Sequence, residues 1–262
     1  MDYLVIIIVC FGASILTFFS GFGLGTILLP AFGLFFPIET AVAATAIVHL
    51  SNNVFKFALV GKHADKKIFL RFVIPAVIAS FAGAALLNYF TGLHTYYNYT
   101  LFGYRLSVTP VNLVIAVLML SFAVIELIPG FDELQFKPKY VPVGGVLSGF
   151  FGGLSGHQGA LRTAFLIRTG LEKEKLIGTM VSASIFIDIT RIAVYSNSYL
   201  NTEIFSAGKG NILYLIITGI IAAFAGSFLG SKLLKKVTIK SIKYSVAAML
   251  IVIGLLLGAG VI

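Results

Sequence analysis

Residues 144–162 read GGVLSGFFGGLSGHQGALR, and seven of these nineteen residues are glycine. The flanking sequence is apolar, and an apolar helix ordinarily avoids glycine because each one costs about 1 kcal/mol relative to alanine. Such a run predicts either backbones in close contact or a helix that is broken. A shorter stretch of the same kind, SGFGLGTILLP, occupies residues 20–30. We interpret the chain as two halves, each opening with one of these stretches.

The composition indicates an integral membrane protein. Of the 262 residues, 58% are hydrophobic and only 11% are charged, whereas soluble domains carry about 25% charged residues. Apolar runs of about 20 residues, long enough to span a bilayer, recur along the whole chain. The net charge of +9 is spread over short loops, which favours a topological role over nucleic-acid binding. The first segment lacks a basic start and a cleavage site, so we expect it to be retained rather than removed as a signal peptide.

About eight hydrophobic segments are predicted, and the first is expected to be broken at residues 21–25 and again at Pro30. A polar, tyrosine-rich loop is expected at residues 94–100. The predicted fold is an all-α polytopic helical bundle that forms one membrane domain. The predicted segments cover residues 3–36, 39–60, 69–90, 111–129, 141–168, 176–195 and 211–234, followed by the C-terminal segment.

The two halves are related in sequence, which predicts an internal duplication with repeats at residues 1–130 and 140–262. VIASFAGAAL in the first half matches IIAAFAGSFL in the second almost letter for letter. The same alignment sets Asn53 opposite Asp188 and Lys56 opposite Arg191.

The loop charges leave two topologies open, because segments one and five either cross the membrane or re-enter on the side from which they came. If all eight segments cross, the five lysines of residues 232–243 lie outside when residues 61–71 lie inside, against the positive-inside rule. If segments one and five are re-entrant, the inside loops hold 14 of the 19 basic residues. We favour the second topology, in which the halves are inverted copies, as in many secondary transporters.

A helix interrupted in mid-membrane exposes N–H groups at the start of its second part, and these groups with the helix dipole favour an anion. Polar residues of segments two and six are predicted to face the breaks. The candidate substrate-binding residues are Gly21, Gly23, Gly25, Thr26, Thr45, Asn52, Gly153, Ser155, Gly156, His157, Gln158, Gly159, Arg162, Thr179 and Ser182. Close helix packing is the alternative for the glycines at helical spacing, which are Gly145, Gly149, Gly152 and Gly156.

His49, His157 and Asp188 are candidates for proton coupling, because ionisable groups inside a membrane are costly and mark function by default. Each histidine could instead be a satisfied polar residue. Asp188 and Arg191 are three residues apart and can pair on one helix face, so they could also form a structural ion pair near the outer surface. Lys56 could snorkel to the inner surface.

The sequence contains no metal-ligand cluster, Walker loop or G-x-S-x-G motif, so no cofactor and no metal are predicted. An intramembrane serine protease would need a nucleophile and a base, and Ser155 and His157, only two residues apart, are a weak basis for one. We therefore do not expect an enzyme.

The chain resembles the sulfite exporter TauE/SafE family of membrane transporters. The resemblance rests on the glycine-rich openings GFGLGTILLP and GFFGGLSGHQGA, the following TAVAATAIVHLSNNVFK and LIGTMVSASIFIDITR, and the repeated FAG. It implies export of small sulfur-containing anions, such as sulfite or organosulfonates, driven by the membrane potential or a proton gradient. An anion channel that uses the same breaks as a pore is the alternative function.

The expected partners are a small anionic substrate and the lipid bilayer, with no nucleic acid and with a second copy of the chain if it forms a homodimer. The expected location is the cell membrane, as a multi-pass protein of a prokaryotic inner or plasma membrane. The substrate would bind near mid-membrane and be carried by alternating access.

Overall fold

The structure, a computed structural model, describes residues 2–20, 23–93, 97–101, 103–128, 135–196, 210–233 and 239–262. Short 3-10 turns occupy Gly61–His63, Pro138–Tyr140 and Ile167–Thr169. The helices are α1 (Asp2–Ser20), α2 (Leu24–Gly33), α3 (Ile38–Val60), α4 (Lys66–Thr91), α5 (Pro110–Leu127), α6 (Val141–Ser155), α7 (Gly159–Leu166), α8 (Lys173–Tyr195), α9 (Gly210–Leu233) and α10 (Ile239–Gly258).

Five helical stretches of the described chain are long and apolar enough to cross a membrane. They are Ile38–His63, Lys66–Thr91, Pro110–Leu127, Lys173–Tyr195 and Ile212–Lys232. The polytopic helical membrane architecture is therefore confirmed, and the predicted limits of these segments agree to within a few residues. α2, at Leu24–Gly33, is shorter than a full span.

Two predictions about local structure are wrong. Pro30 does not interrupt the first segment, because it lies inside α2, which continues to Gly33; membrane helices tolerate proline where neighbouring groups satisfy the backbone. The loop after α4, predicted to be irregular, contains an antiparallel β-hairpin, with β1 at Tyr97–Leu101 and β2 at Tyr104–Val108, while the membrane bundle is all-α as predicted. Tyrosine and threonine favour strands, and Gly103, with a φ of 81°, makes the turn.

The β-hairpin marks one end of the bundle, which we call the β-hairpin end. α4 finishes there and α5 begins there. The C-terminus of α10 lies there too, because the Asn112 side chain donates to the carbonyl of Ile262 at 3.3 Å. α8 also finishes at this end, where the Asn88 side chain donates to the carbonyl of Val194 at 3.1 Å.

The opposite end, which we call the basic end, contains the lysine-rich connection between α3 and α4. α3 finishes there and α4 starts there, with Asp65 capping α4 by accepting from the N–H of Ile68 at 2.9 Å. The N–H of Asp65 donates to the Thr179 hydroxyl near the start of α8 at 2.9 Å. The start of α8 therefore lies at the basic end.

α6 and α7 form a unit whose two outer ends lie together at the basic end. The N–H of Phe136, just before α6, donates to the carbonyl of Ala164 in α7 at 3.1 Å. The rings of Phe136 and Phe165 stack with centroids 4.1 Å apart. Arg168 donates from Nε to the Gln135 side chain at 2.9 Å. The chain therefore leaves this unit at the end where it entered.

α1 and α2 form the corresponding unit at the β-hairpin end. α1 runs alongside α9 in the same direction, since Gly219 packs on Cys10 and Gly230 packs on Ile15. The end of α2 at Gly33 contributes to a surface depression together with residues of the β-hairpin end, among them Thr109, Asn112 and Ile262.

The helices pack in pairs across the two halves of the chain. α4 packs against α6, and α1 packs against α9. α3 packs against α8, and α5 packs against α10. If each helix is replaced by the helix at the same position in the other half, the α4–α6 pair becomes the α9–α1 pair. The α3–α8 and α5–α10 pairs are then unchanged.

Candidate functional site

The break in the second glycine-rich stretch is a tight turn between α6 and α7. α6 ends at Ser155, and Gly156 adopts a left-handed conformation with a φ of 84° that glycine accepts without steric cost. α7 begins at Gly159. The turn lies about 22 Å along the unit from the start of α6, at 1.5 Å per residue, which is less than the thickness of a bilayer core of about 30 Å.

The two breaks in the chain meet at this depth. A Cβ atom added to Gly25, the second residue of α2, would lie 2.9 Å from the carbonyl oxygen of Gly156. The same Cβ would touch the Thr45 methyl group at 3.8 Å. Glycine at position 25 is therefore what allows the start of α2 to approach the turn between α6 and α7.

Asp188 on α8 is the centre of a buried polar network beside the turn. It accepts from Gln158 Nε2 at 3.1 Å and pairs with Arg191, whose Nη2 lies 2.8 Å from Oδ1. Its other oxygen, Oδ2, lies 2.6 Å from Nδ1 of His49 on α3. Asn53 donates to the same oxygen at 3.4 Å. One carboxylate thus connects α3, the break and α8.

Arg162 on α7 extends this network toward the basic end. Its Nη1 donates to Gln158 Oε1 at 3.3 Å and to the Ser184 hydroxyl. Its Nε has no hydrogen-bond partner among the described residues, although Arg162 is only 5% exposed. A buried guanidinium N–H without a partner is costly, so this group is a candidate donor to a ligand.

A small cavity lies between the network and the basic end, with a volume of about 20 Å³, enough for about one water molecule. It is lined by the second half of α3, the first half of α8, α7 and the residues around the first break. The apolar lining residues are Phe18, Leu24, Ile177, Met180 and Val181, and the polar ones are Thr17, His49, Asn53, Lys56 and Arg162.

Lys56 is the most unusual member of this lining. Its side chain is only 4% exposed, and its ammonium lies 5.4 Å from the centre of the Phe18 ring. No carboxylate in the described ranges forms an ion pair with Lys56 or with Arg162. Buried charges are ordinarily paired, so two unpaired cations on one cavity indicate a site for an anion.

The family comparison agrees with this electrostatic character. The family model described as sulfite exporter TauE/SafE matches residues 6–257, nearly the whole chain. The chain belongs to the sulfite exporter TauE/SafE family. It is therefore a multi-pass membrane transport protein, as predicted. No curated protein and no solved structure matches the chain.

Some glycines of this TauE/SafE chain have structural roles other than the predicted ones. Gly153 and Ser155 lie inside α6 rather than in an open loop, so the expectation that their N–H groups are exposed is wrong. Gly153 instead belongs to a stripe that lets the α6 backbone touch the backbone of α4, and its carbonyl accepts from the Tyr195 hydroxyl. The stripe consists of Gly145, Gly149 and Gly153, which contact Phe72, Ala76 and Ser80. Gly152 and Gly156 lie outside it, since Gly152 faces Gln158 and Gly156 faces Arg191.

His157 faces away from the Asp188 network. Its Nδ1 lies 2.9 Å from the Ser155 hydroxyl, and its ring stacks on Phe122 with centroids 4.7 Å apart. Its Nε2 has no partner within the described part of the chain. Ser155 also donates to the carbonyl of Phe151 at 3.2 Å.

Three predicted polar residues of this transporter make structural hydrogen bonds elsewhere. Thr179 bonds Asp65 and the carbonyl of Lys175, near the basic end. Asn52 accepts from Ser227 on α9 at 2.7 Å. Ser182 donates to the carbonyl of Gly178 at 2.7 Å. The structure does not bring these side chains into the Asp188 network.

In the first break, Gly23 precedes α2 and accepts from the N–H of Thr26 at 2.9 Å. Thr26 is buried on α2, and the Thr45 hydroxyl is buried with no partner among the described residues. Gly21 lies outside the described residues. Gly159 begins α7 and is buried.

Sequence reasoning missed the place of Lys56, because a lysine near a helix end is ordinarily expected to snorkel to the surface. Burial of Lys56 under α1 and α7 excludes that interpretation. Asp188 and Arg191 are both fully buried, and Asp188 touches the break; a purely structural role for the pair stays a prediction. The pairing itself is confirmed. The alignment of Lys56 with Arg191 is the sequence feature from which the burial of Lys56 could have been predicted.

Proposed function

We propose that this TauE/SafE chain carries a small sulfur oxyanion across the membrane and binds it in the cavity between Lys56 and Arg162. The observation that carries the proposal is the pair of buried cations without a carboxylate partner in the described chain. The family match, described as sulfite exporter, supports the sulfur oxyanion. Oxyanions accept charge-assisted hydrogen bonds from lysine and arginine, which are the strong ones.

The packing supports inverted repeats with two re-entrant units. The α6–α7 unit begins and ends at the basic end, while the α1–α2 unit begins and ends at the β-hairpin end. Two units that enter from opposite sides and meet at their breaks are the expected arrangement of inverted halves around a midplane site. Irregular backbone at this depth is compatible with a bilayer because protein buries it.

A labelling experiment tests this topology. Lys137 precedes α6, Lys173 follows α7, and both are exposed. If the unit is re-entrant, single cysteines at these two positions react with an impermeant maleimide from the same side of the membrane. Reaction from opposite sides would overturn the topology. The native Cys10 is buried and serves as the unlabelled background.

The closed β-hairpin side of the cavity favours alternating access over a channel. Gln158, Asp188 and Arg191 are fully buried above the cavity and are bonded to one another, and Gly25 contacts Gly156 beside them. We propose that this structure represents the state that binds substrate from the basic end. With the lysine-rich loops inside, as the positive-inside rule expects, that direction corresponds to export.

Within this proposal, Asp188 and His49 remain the candidates for proton coupling. His49 lines the cavity and contacts Asp188 at 2.6 Å, so a proton on the imidazole would sit between the anion and the carboxylate. Arg162 is connected to Asp188 through Gln158. An anion that draws Arg162 toward the cavity would therefore alter the environment of Asp188.

Flux into proteoliposomes tests the function directly. We expect saturable sulfite flux with the wild-type protein and a loss of at least about 100-fold with Lys56→Met or Arg162→Met, corresponding to the loss of one charged hydrogen bond of about 3 kcal/mol. Lys62→Met is the matched control, because Lys62 is exposed at the same end. Undiminished flux in both variants would overturn the assignment of the binding site. An ohmic current that does not saturate would show that the protein is a channel and not a carrier.

A further inference from the structure

The charges around the cavity do not balance. Lys56, Arg162 and Arg191 contribute three positive charges, and Asp188 contributes one negative charge. His49 is ordinarily neutral at pH 7, although it can become charged close to that pH. The other buried carboxylate of the described chain, Glu126 on α5, is not part of the cavity lining. With Lys56 protonated, these groups together therefore carry an excess of two positive charges.

The excess is located on the cavity and not in the Asp188 network. Arg191 donates from Nε to Asp188 at 3.0 Å and pairs with it through Nη2 at 2.8 Å, so these two charges cancel. Lys56 and Arg162 both line the cavity and have no such partner among the described residues. A monovalent anion would leave one of these cations uncompensated in a buried site, which is unfavourable. A divalent anion would compensate both.

The size of the cavity also favours a small anion. Its walls are apolar side chains such as Leu24, Met180 and Val181, and the open volume is about 20 Å³. The cavity must widen for any oxyanion, but a compact one displaces the walls less than a sulfonate with an organic tail does. Protein interiors are closely packed, so such displacement is costly.

We infer that the cavity selects a small divalent sulfur oxyanion and discriminates against monovalent sulfonates. The inference rests on the proposed function and specifies the charge of the substrate at the same site. Lys56 supplies a compact point charge, and Arg162 supplies N–H donors, including Nε. Coordination by both groups would bring the buried charge of the site to zero.

Calorimetric titration of the purified protein at constant ionic strength tests the inference. The probes are thiosulfate and sulfate as divalent anions and methanesulfonate as a monovalent anion. We expect the divalent anions to bind the wild-type protein at least about 10-fold more tightly. In Lys56→Gln, which removes one positive charge, that preference is expected to disappear or to reverse.

Lys62→Gln, at an exposed position of the same end, should leave the preference unchanged. Arg162→Gln provides a second charge-removing variant and should show the same loss of preference as Lys56→Gln. Equal or tighter binding of methanesulfonate by the wild-type protein would overturn the inference on charge and leave the proposed function standing. An unchanged preference in both charge-removing variants would also overturn it. Absence of binding by every probe and by sulfite would overturn the proposed function itself.

Discussion

α3 and α8 carry the same arrangement of side chains with a different balance of charge. On α8, Asp188 and Arg191 are three residues apart and neutralise each other. On α3, the aligned positions hold Asn53 and Lys56, so the carboxylate is replaced by an amide and the cation remains unpaired. One half of the molecule thus contains a neutral ion pair, and the other half contains a cation without a carboxylate partner among the described residues.

This difference gives the two sides of the bundle different roles. The ion pair on α8 fixes the turn between α6 and α7, because Asp188 accepts from Gln158 and Arg191 Nη1 reaches the carbonyl of Gly152 at 3.4 Å. The unpaired Lys56 faces the cavity at the basic end. The pair on α3 differs from the pair on α8 by an amide in place of a carboxylate and a lysine in place of an arginine, and only the pair on α8 neutralises itself.

The largest expected effect comes from removing the charged partner on α8. Asp188→Asn leaves Arg191 buried without its counter-ion, and breaking one side of a buried pair costs about 3–5 kcal/mol. We expect a marked fall in the temperature of unfolding in detergent. Lys56→Met, which removes the unpaired cation on α3, should instead raise the unfolding temperature of the anion-free protein. A similar fall in both variants would contradict the difference between the two helices.

The double variant Asp188→Asn/Arg191→Gln sharpens the same contrast. Because both charges of this pair are removed, no guanidinium is left at position 191 without its counter-ion, and we expect the double variant to recover at least about 1 kcal/mol relative to Asp188→Asn alone. The measurement is thermal unfolding of both variants under identical conditions. A double variant less stable than Asp188→Asn would show that Arg191 is stabilised by groups other than Asp188.

The turn fixed by the α8 pair should be sensitive to a side chain at position 156. Gly156→Ala forces a left-handed residue to carry a Cβ, at a cost of about 1–2 kcal/mol, and the new atom would lie 2.8 Å from Arg191 Nη1. Gly12→Ala is the control, because it sits in α1 with open space around it and should be neutral or stabilising. Equal stability of the two variants would argue against the constrained turn.

The smallest expected effect concerns Thr179, which was predicted to bind substrate. Thr179→Val keeps the shape of the side chain and removes the acceptor for the N–H of Asp65, so we expect a loss of about 1 kcal/mol in stability. Anion affinity should be unchanged, because Thr179 does not line the cavity. A fall in anion affinity by 10-fold or more would restore Thr179 to the site.

Features that depend on local sequence were predictable. The apolar runs define the five membrane-capable helices to within a few residues, and the i,i+3 spacing of Asp188 and Arg191 defines their pairing. The break near Gly156 also follows from local sequence, since glycine favours the left-handed conformation found there.

Features that depend on packing between distant segments were not predictable. Gly153 looks like part of the break, and only the approach of α4 shows that it is a packing residue. Lys56 looks like a surface lysine, and only the positions of Phe18 and Arg162 show that it is buried on a cavity. The β-hairpin was hidden in a polar loop because its two strands are short and lie outside the hydrophobic segments.

The most direct measurement is the location of a bound sulfite analogue by anomalous scattering. Fully deprotonated selenite has the shape and charge of the sulfite dianion, and its selenium gives an anomalous signal in crystals of the wild-type protein kept at alkaline pH. We predict one dominant peak in the cavity, within hydrogen-bonding distance of Lys56 Nζ and the Arg162 guanidinium, and no such peak in Lys56→Met. A dominant peak beside His157 Nε2, or in the depression at the β-hairpin end, would contradict the assignment of the anion site.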